Sequence, residues 1–233
     1  MSKFKSKMSK FKSKSIIGLA VAVCSWSGIA AAEGNRHGLA RRYHSEISAA
    51  KAYLLTSHSR GQDSKRRDDG EDDDRGHRKD PWAGAVLIDV RDVNEYAAGH
   101  PDDAVSIPFP HIYKRPGNLE YQAQTPEGFL AAVMEALPDK NTPILLLCRT
   151  GLRSIAAGNI LADAGYGFVR NIWEGFVGLN RTDSTGAIVD MNNDGVISDA
   201  DLDGWSMFFE LPYSTELRST LLYRPAEHLY TAP

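Results

Sequence analysis

Apolar residues along this chain fall into short continuous runs separated by stretches of helical spacing. Ala85-Val86-Leu87-Ile88-Asp89-Val90 is one such run, with the length and character of a strand covered on both faces. Ala104 to Ile107 is a second, stopped by Pro108, Thr142 to Leu147 a third, and Phe168 to Trp173 a fourth. Between them the spacing changes. Asp92 can cap a short helix that runs through Tyr96 and is ended by Gly99. Thr125-Pro126-Glu127 reads as an N-cap, a proline at the first helical position and an acid, and the helix continues through Phe129, Val133, Met134 and Leu137 to Pro138. Arg153 to Ala164 predicts a helix with Ile155, Ile160 and Leu161 inward and Gly165 at its end. His111 to Gln124 reads as a loop. A short helix is expected over Ser45–Leu55, where Ile47, Ala50, Leu54 and Leu55 lie near one face. Strands alternating with helices predict an α/β fold, a mostly parallel sheet with helices on both faces. Sites in such sheets lie beyond the carboxyl ends of the strands.

Charge divides the 233 residues into unlike parts. Residues 1–32 carry six lysines and no acid, then an apolar run from Ile16 to about Ile29 and the ending Ala30-Ala31-Ala32. A basic start, a short apolar core and small residues at the end describe a signal peptide cleaved after Ala32. The expected location is therefore the periplasm or outside the cell, with no membrane association after leader removal. Without those lysines, 21 Lys+Arg face 30 Asp+Glu, and the formal charge moves from −3 for the chain to −9. So acidic a body argues against nucleic acid as a partner. Residues 33–80 read as an N-terminal extension and a charged disordered linker, since Arg60 to Asp80 has no apolar side chain to offset the entropy of ordering. The domain is expected over 81–213, with a tail at 214–233.

The candidate chemistry sits at the end of the third strand: Cys148-Arg149-Thr150-Gly151-Leu152-Arg153-Ser154. The chain has two cysteines, Cys24 and Cys148. Leader removal leaves Cys148 alone, which excludes an internal disulfide. A free thiol has a pKa of about 8.5 and needs positive potential to ionise. Loop amides can form an anion nest, with Gly151 permitting the turn. The following helix points its positive end at the sulfur, and Arg149 and Arg153 add full charges.

This loop resembles the active-site loop of rhodanese-type sulfurtransferases. Leu87-Ile88-Asp89-Val90-Arg91, Glu95 to His100, Ala104 to Pro108, Gly165-Tyr166, Asn171 to Gly175, and the ending Gly204-Trp205 to Leu211-Pro212-Tyr213 are similar to that family's motifs in the same order. The resemblance implies one rhodanese-like domain with a central parallel sheet of about five strands. It also implies sulfur transfer from a small anionic donor such as thiosulfate to cyanide or a thiol, or to a protein acceptor, through a Cys148 persulfide. Arg149, Thr150, Gly151, Leu152, Arg153 and Ser154 would cradle the anion, with no organic cofactor. The related phosphatases of the Cys-x5-Arg type have one more residue in the loop, so the four residues between Cys148 and Arg153 favour sulfur over phosphate. A sulfur- or redox-responsive binding module using the same loop without turnover is the alternative. Asp89, Arg91 and Glu95 read as scaffold, and His100 as a hydrogen-bonding turn residue. Gly99-His100-Pro101-Asp102-Asp103-Ala104 departs from the family's usual Gly-His-Ile-Pro-Gly-Ala.

An insertion at 179–203 carries a second pattern. Within 190–201, Asp190, Asn192, Asp194, Val196, Ser198 and Asp201 fall at positions one, three, five, seven, nine and twelve of a calcium-loop template, with Gly195 at its sharp turn. The loop resembles an EF-hand or dockerin-type loop and predicts structural calcium. Ile197 would pack inward and a helix would follow from about Ala200 to Glu210.

Overall fold

Strand register decides which side chains meet in this protein. Residues 35–65, 80–82, 84–114 and 121–230 are described by a computed structural model. The segment expected to be a signal peptide and most of the expected linker, residues 66–79, lie outside the described residues. In chain order the elements are β1 (Ser45–Ile47), α1 (Ala49–Lys65), β2 (Val86–Asp89), α2 (Val93–Ala97), β3 (Val105–Ser106), β4 (His111–Tyr113), β5 (Gln122–Ala123), α3 (Pro126–Ala136), β6 (Ile144–Leu147), α4 (Leu152–Asp163) and β7 (Val169–Ile172). Three 3-10 turns follow, at Asp199–Asp201, Ser219–Leu221 and Arg224–Leu229.

Five strands form a parallel sheet in the order β1-β7-β6-β2-β3. The central strand β6 is buried along its whole length. Its alternation splits the core into two layers. Leu145 and Leu147 pack with Ala49 and Ala52 of α1, Tyr96 of α2, and Ala226 and Tyr230 near the C-terminus. Ile144, Leu146 and then Cys148 enter the other layer, with Phe129 and Val133 of α3 and Ile155 and Leu161 of α4. Each fully buried side chain of this kind contributes roughly 1.5–3 kcal/mol. The same period therefore stabilises the sheet and delivers Cys148 to the α4 side.

The helix starts follow their caps. Asp92 and Glu95 form a capping box around α2, and Thr125 accepts the Gly128 amide at α3 with Pro126 behind it. Several expectations need correction. The fifth strand is β1, at the start of the segment expected to be helical; its pairing with β7 is a long-range contact that local spacing does not display. α1 begins only at Ala49 and continues to Lys65, into the segment assigned to the linker; no proline interrupts it before Pro81. Within His111 to Gln124, β4 and β5 pair antiparallel. The domain also exceeds 81–213 at both ends. Tyr230 is buried and its hydroxyl lies 2.7 Å from Ser106 Oγ in β3, so 214–230 is part of the body and not a tail. After Asp201, turns replace the expected helix.

The first turn of α1 meets the loop after β7. Glu174 is 1% exposed and its Oε2 accepts the Ala49 amide at 2.9 Å, while Oε1 has no partner among the described residues. Burial pushes its carboxyl up to about 7. The folded state thus holds the proton more tightly than the unfolded chain, and stability falls as pH rises from the ordinary carboxylate range toward 7. Glu174→Gln keeps an acceptor for Ala49 without the charge. Thermal unfolding should give matching stabilities near pH 4 and a more stable variant at pH 8, by on the order of 2 kcal/mol. Parallel stability curves across that range would contradict the assignment.

Candidate functional site

β6 ends at Leu147, in register with Asp89 of β2, and Cys148 is the next residue. The sulfur is therefore placed at the carboxyl edge of the central strand. Cys148 is 1% exposed and is a free cysteine. The loop that follows is clasped to the loop after β7. Phe176 N donates to Cys148 O at 2.7 Å, and Val177 N and Gly178 N both donate to Arg149 O at 3.0 Å. Two glycines make that approach possible. Gly151 has φ 82°, and a Cβ there would lie 2.2 Å from the Trp173 carbonyl oxygen. Gly175 has φ 77°, and its Cβ would lie 2.6 Å from the Arg149 carbonyl and the Thr150 amide. Any larger residue would push the two loops apart.

Gly151 is also the N-cap of α4 and supplies no capping side chain. The first-turn amides are left without a side-chain acceptor, and they carry the positive end of a 12-residue helix. The arrangement suits an anion bound at the loop.

The two arginines have different duties. Arg153 is engaged: its Nη1 and Nη2 donate to Glu95 Oε2 and Oε1 at 2.6 and 2.8 Å. Burial works to lower the Arg153 pKa, but the Glu95 bond and charge outweigh it and the net shift is upward. For Glu95, burial works upward and the Arg153 bond prevails, holding the carboxyl below its usual range. Arg149 is exposed, with no ion pair or side-chain hydrogen bond among the described residues. Arg153 braces the loop, and Arg149 supplies free charge at its mouth. Thr150 is half-buried, Leu152 exposed and Ser154 buried, its Oγ 3.3 Å from Cys148 Sγ.

Asp89 and Arg91 form a buried pair at 2.6 Å, and Arg91 also donates to Gly99 O at 2.7 Å and lies over the Phe176 ring. His100 stacks on Tyr96, its Nδ1 hydrogen-bonds Tyr96 O, and its backbone bridges to Ser214. These groups hold the frame. Sequence reasoning missed others. His37 Nε2 lies 2.8 Å from Thr150 O, so the N-terminal segment touches the cysteine loop. Asn171 donates from Nδ2 to Gly151 O at 3.2 Å. No motif signals His37; Asn171 stood inside a quoted motif without an assigned task.

The insertion presents its predicted residues differently from an assembled cation cage. Asp190 accepts the amides of Asp194 and Gly195, and Asp194 that of Val196. Asn192 donates to Asp194. Buried Asp201 accepts the amides of Met191, Asn192 and Ser198. The Ser198 amide is the largest influence holding its carboxyl below the usual range. The donors are all oxygens, as a hard cation requires. Among the described residues, however, no three His, Cys, Asp or Glu side chains converge to hold a metal. Ile197, expected inward, is 47% exposed.

Comparison with known proteins places these features in a family context. The family model described as "Rhodanese-like domain" matches residues 75–182. The chain is 31% identical over 101 residues to the uncharacterized protein RP600 of Rickettsia prowazekii, covering 42% of this chain and 73% of that one. It is 30% identical over 90 residues to the thiosulfate sulfurtransferase PspE of Escherichia coli, covering 39% and 70%. Among solved structures, Rv0390 from M. tuberculosis aligns with a TM-score of 0.45 at 23% identity, over 75% of this chain and 99% of that one.

The Glu95–Arg153 pair can be tested without assaying turnover. Glu95→Gln should lower stability at neutral pH by about 1–3 kcal/mol in denaturant unfolding. A carboxylate depressed by its partner stabilises above the unfolded-state pKa and loses that contribution as pH falls through the folded one. The difference between native and variant should therefore be full above about pH 5 and shrink in stronger acid. An unchanged difference at low pH would show that the pair's charge is not its source.

Proposed function

The chain belongs to the rhodanese-like domain family, and from that premise we propose that it is a sulfurtransferase working through a persulfide on Cys148. The observation that carries this reading is the sulfur's position. It follows the carboxyl end of the central strand and precedes an uncapped helix start, with Arg149 exposed and without an ion pair among the described residues. The likeness to a thiosulfate sulfurtransferase supports it.

The Cys148 thiolate attacks the outer sulfur of thiosulfate. A new S–S bond forms on Sγ, the donor's S–S bond breaks, and its electron pair leaves with sulfite. Cyanide or a thiolate then attacks the terminal persulfide sulfur and restores the Cys148 thiolate. Donor, thiolate and persulfide are all anions, and α4's first-turn amides and Arg149 favour each of them. Arg153, held by Glu95, fixes the loop. The leader sequence supports export, so the periplasm or cell exterior is proposed as the place of action.

Mass spectrometry of Cys148 after exposure to thiosulfate or another sulfane donor should show a gain of one sulfur, and steady-state thiocyanate should form. Cys148→Ser should abolish both. Absence of the persulfide in folded protein would sink the proposal. A persulfide without turnover would instead support the binding-module alternative, which the burial of Sγ favours.

Calcium binding at 190–201 is a separate proposal, supported by the template spacing and the all-oxygen donors. The carboxylates of Asp190, Asp194 and Asp201 accept amides of their own loop and have further lone pairs with which to hold the ion. Isothermal titration with calcium should give one binding event that Asp190→Ala removes; no heat, or heat unchanged in the variant, would exclude it.

A further inference from the structure

A hydroxyl has one proton, and the groups behind Cys148 decide where that of Ser154 goes. Ser154 Oγ lies 2.6 Å from Asn171 Oδ1 and 3.3 Å from Cys148 Sγ. All three residues are buried. The Asn171 amide is oriented from its other side, where Nδ2 donates to Gly151 O at 3.2 Å. Turning the amide over would set two oxygens against each other at Gly151. It would also place nitrogen 2.6 Å from Ser154, shorter than the ordinary N–H···O range. Oδ1 therefore faces Ser154, and an amide oxygen only accepts. Ser154 gives its proton to Asn171 and turns a lone pair toward the sulfur. A thiol can donate S–H into that lone pair; a thiolate faces it without a proton to share.

We infer that Asn171 is a positioning residue for Cys148: by taking the Ser154 proton it makes that hydroxyl an acceptor, which favours the resting thiol over the thiolate. The inference rests on the reading of Cys148 as the nucleophile. It gives the loop two opposed influences. The α4 amides and Arg149 draw the sulfur toward the anion, and Ser154 holds the proton until they prevail. Asn171 also stands in register with Glu46 of β1, and Tyr43, just before that strand, donates to Glu46. The charged and titratable groups on the surrounding elements are Arg149, Arg153, Glu95, Asp92, Asp89, Arg91, Glu46, Tyr43 and His37, and the substitutions below leave all of them in place.

The test follows alkylation of Cys148 by iodoacetamide against pH in the full chain, read by peptide mass spectrometry so that Cys24 does not contribute. Reaction occurs at the thiolate, so the profile reports ionisation without turnover. Ser154→Ala removes the acceptor, and Asn171→Ala frees the hydroxyl to donate to sulfur. Both should speed alkylation about 3- to 10-fold on the acidic side of the native inflection and move that inflection to lower pH. Ser154→Thr retains the hydroxyl and should keep the native profile. An inflection in Ser154→Ala that is unmoved or moves to higher pH overturns the inference. If Asn171→Ala does not fold, Ser154→Ala decides alone. The expected profiles without any persulfide would remove the sulfurtransferase reading and leave the Asn171 assignment standing; the reverse result would remove only the assignment.

Discussion

The clasp between the cysteine loop and the loop after β7 is the constraint on which the site depends. Three amides, from Phe176, Val177 and Gly178, close on the carbonyls of Cys148 and Arg149. Both carbonyls are thereby occupied, while the first-turn amides of α4 have no side-chain cap. Two backbones can approach this closely only where Cβ atoms are absent, at Gly151 and Gly175. The clasp thus folds the loop after β6 back against the loop after β7. Its formation depends on β6 and β7 being neighbours, so the fold and the chemistry are linked through a single strand pairing.

Charge in the cysteine loop is divided rather than summed. Two arginines within one short loop would repel each other and any folded arrangement would tend to splay them. Glu95 neutralises one and fixes its direction with two short bonds, which are charge-assisted and stronger than neutral ones. The other guanidinium, that of Arg149, is exposed. Glu95 is itself aligned by Asp92 through the capping box of α2. A five-residue helix, marginal alone, thereby sets the orientation of a group far along the chain.

The parts legible in the sequence were those with short-range causes. The strands β2, β3, β6 and β7 announce themselves as apolar runs, and α3 by Thr125 and Pro126. The position of Cys148 follows from one of those runs ending in a residue that is not aliphatic. What stayed hidden depends on partners distant in sequence. Ser45–Ile47 becomes a strand because β7 offers an open edge; its own residues fit a helix equally well. The contact of His37 with Thr150 and the selection of Asn171 as a neighbour of both Ser154 and Gly151 have no local signature. Asp190 to Asp201 is a different case. Its spacing matches a template, but carboxylates at such spacing can satisfy the amides of their own loop as readily as a cation.

The insertion need not rely on an ion to stay attached to the body. Asp203, fully buried, accepts two bonds from Arg36 at 3.0 and 3.1 Å, one from Arg181 at 3.1 Å and the Leu179 amide at 3.0 Å. Both guanidinium groups also lie 5.1 Å from the centre of the Trp173 ring. A buried carboxylate with two cations and an amide has its desolvation offset in a way that a lone one does not. This knot joins the N-terminal segment, the foot of the insertion and the residue whose carbonyl abuts Gly151. The outer turn around Gly195 is far less constrained, since Val196 and Ile197 are exposed beside it. A cation at 190–201 would therefore order the outer lobe, while the geometry of the cysteine loop is already set by Asp203 and Trp173 at the base.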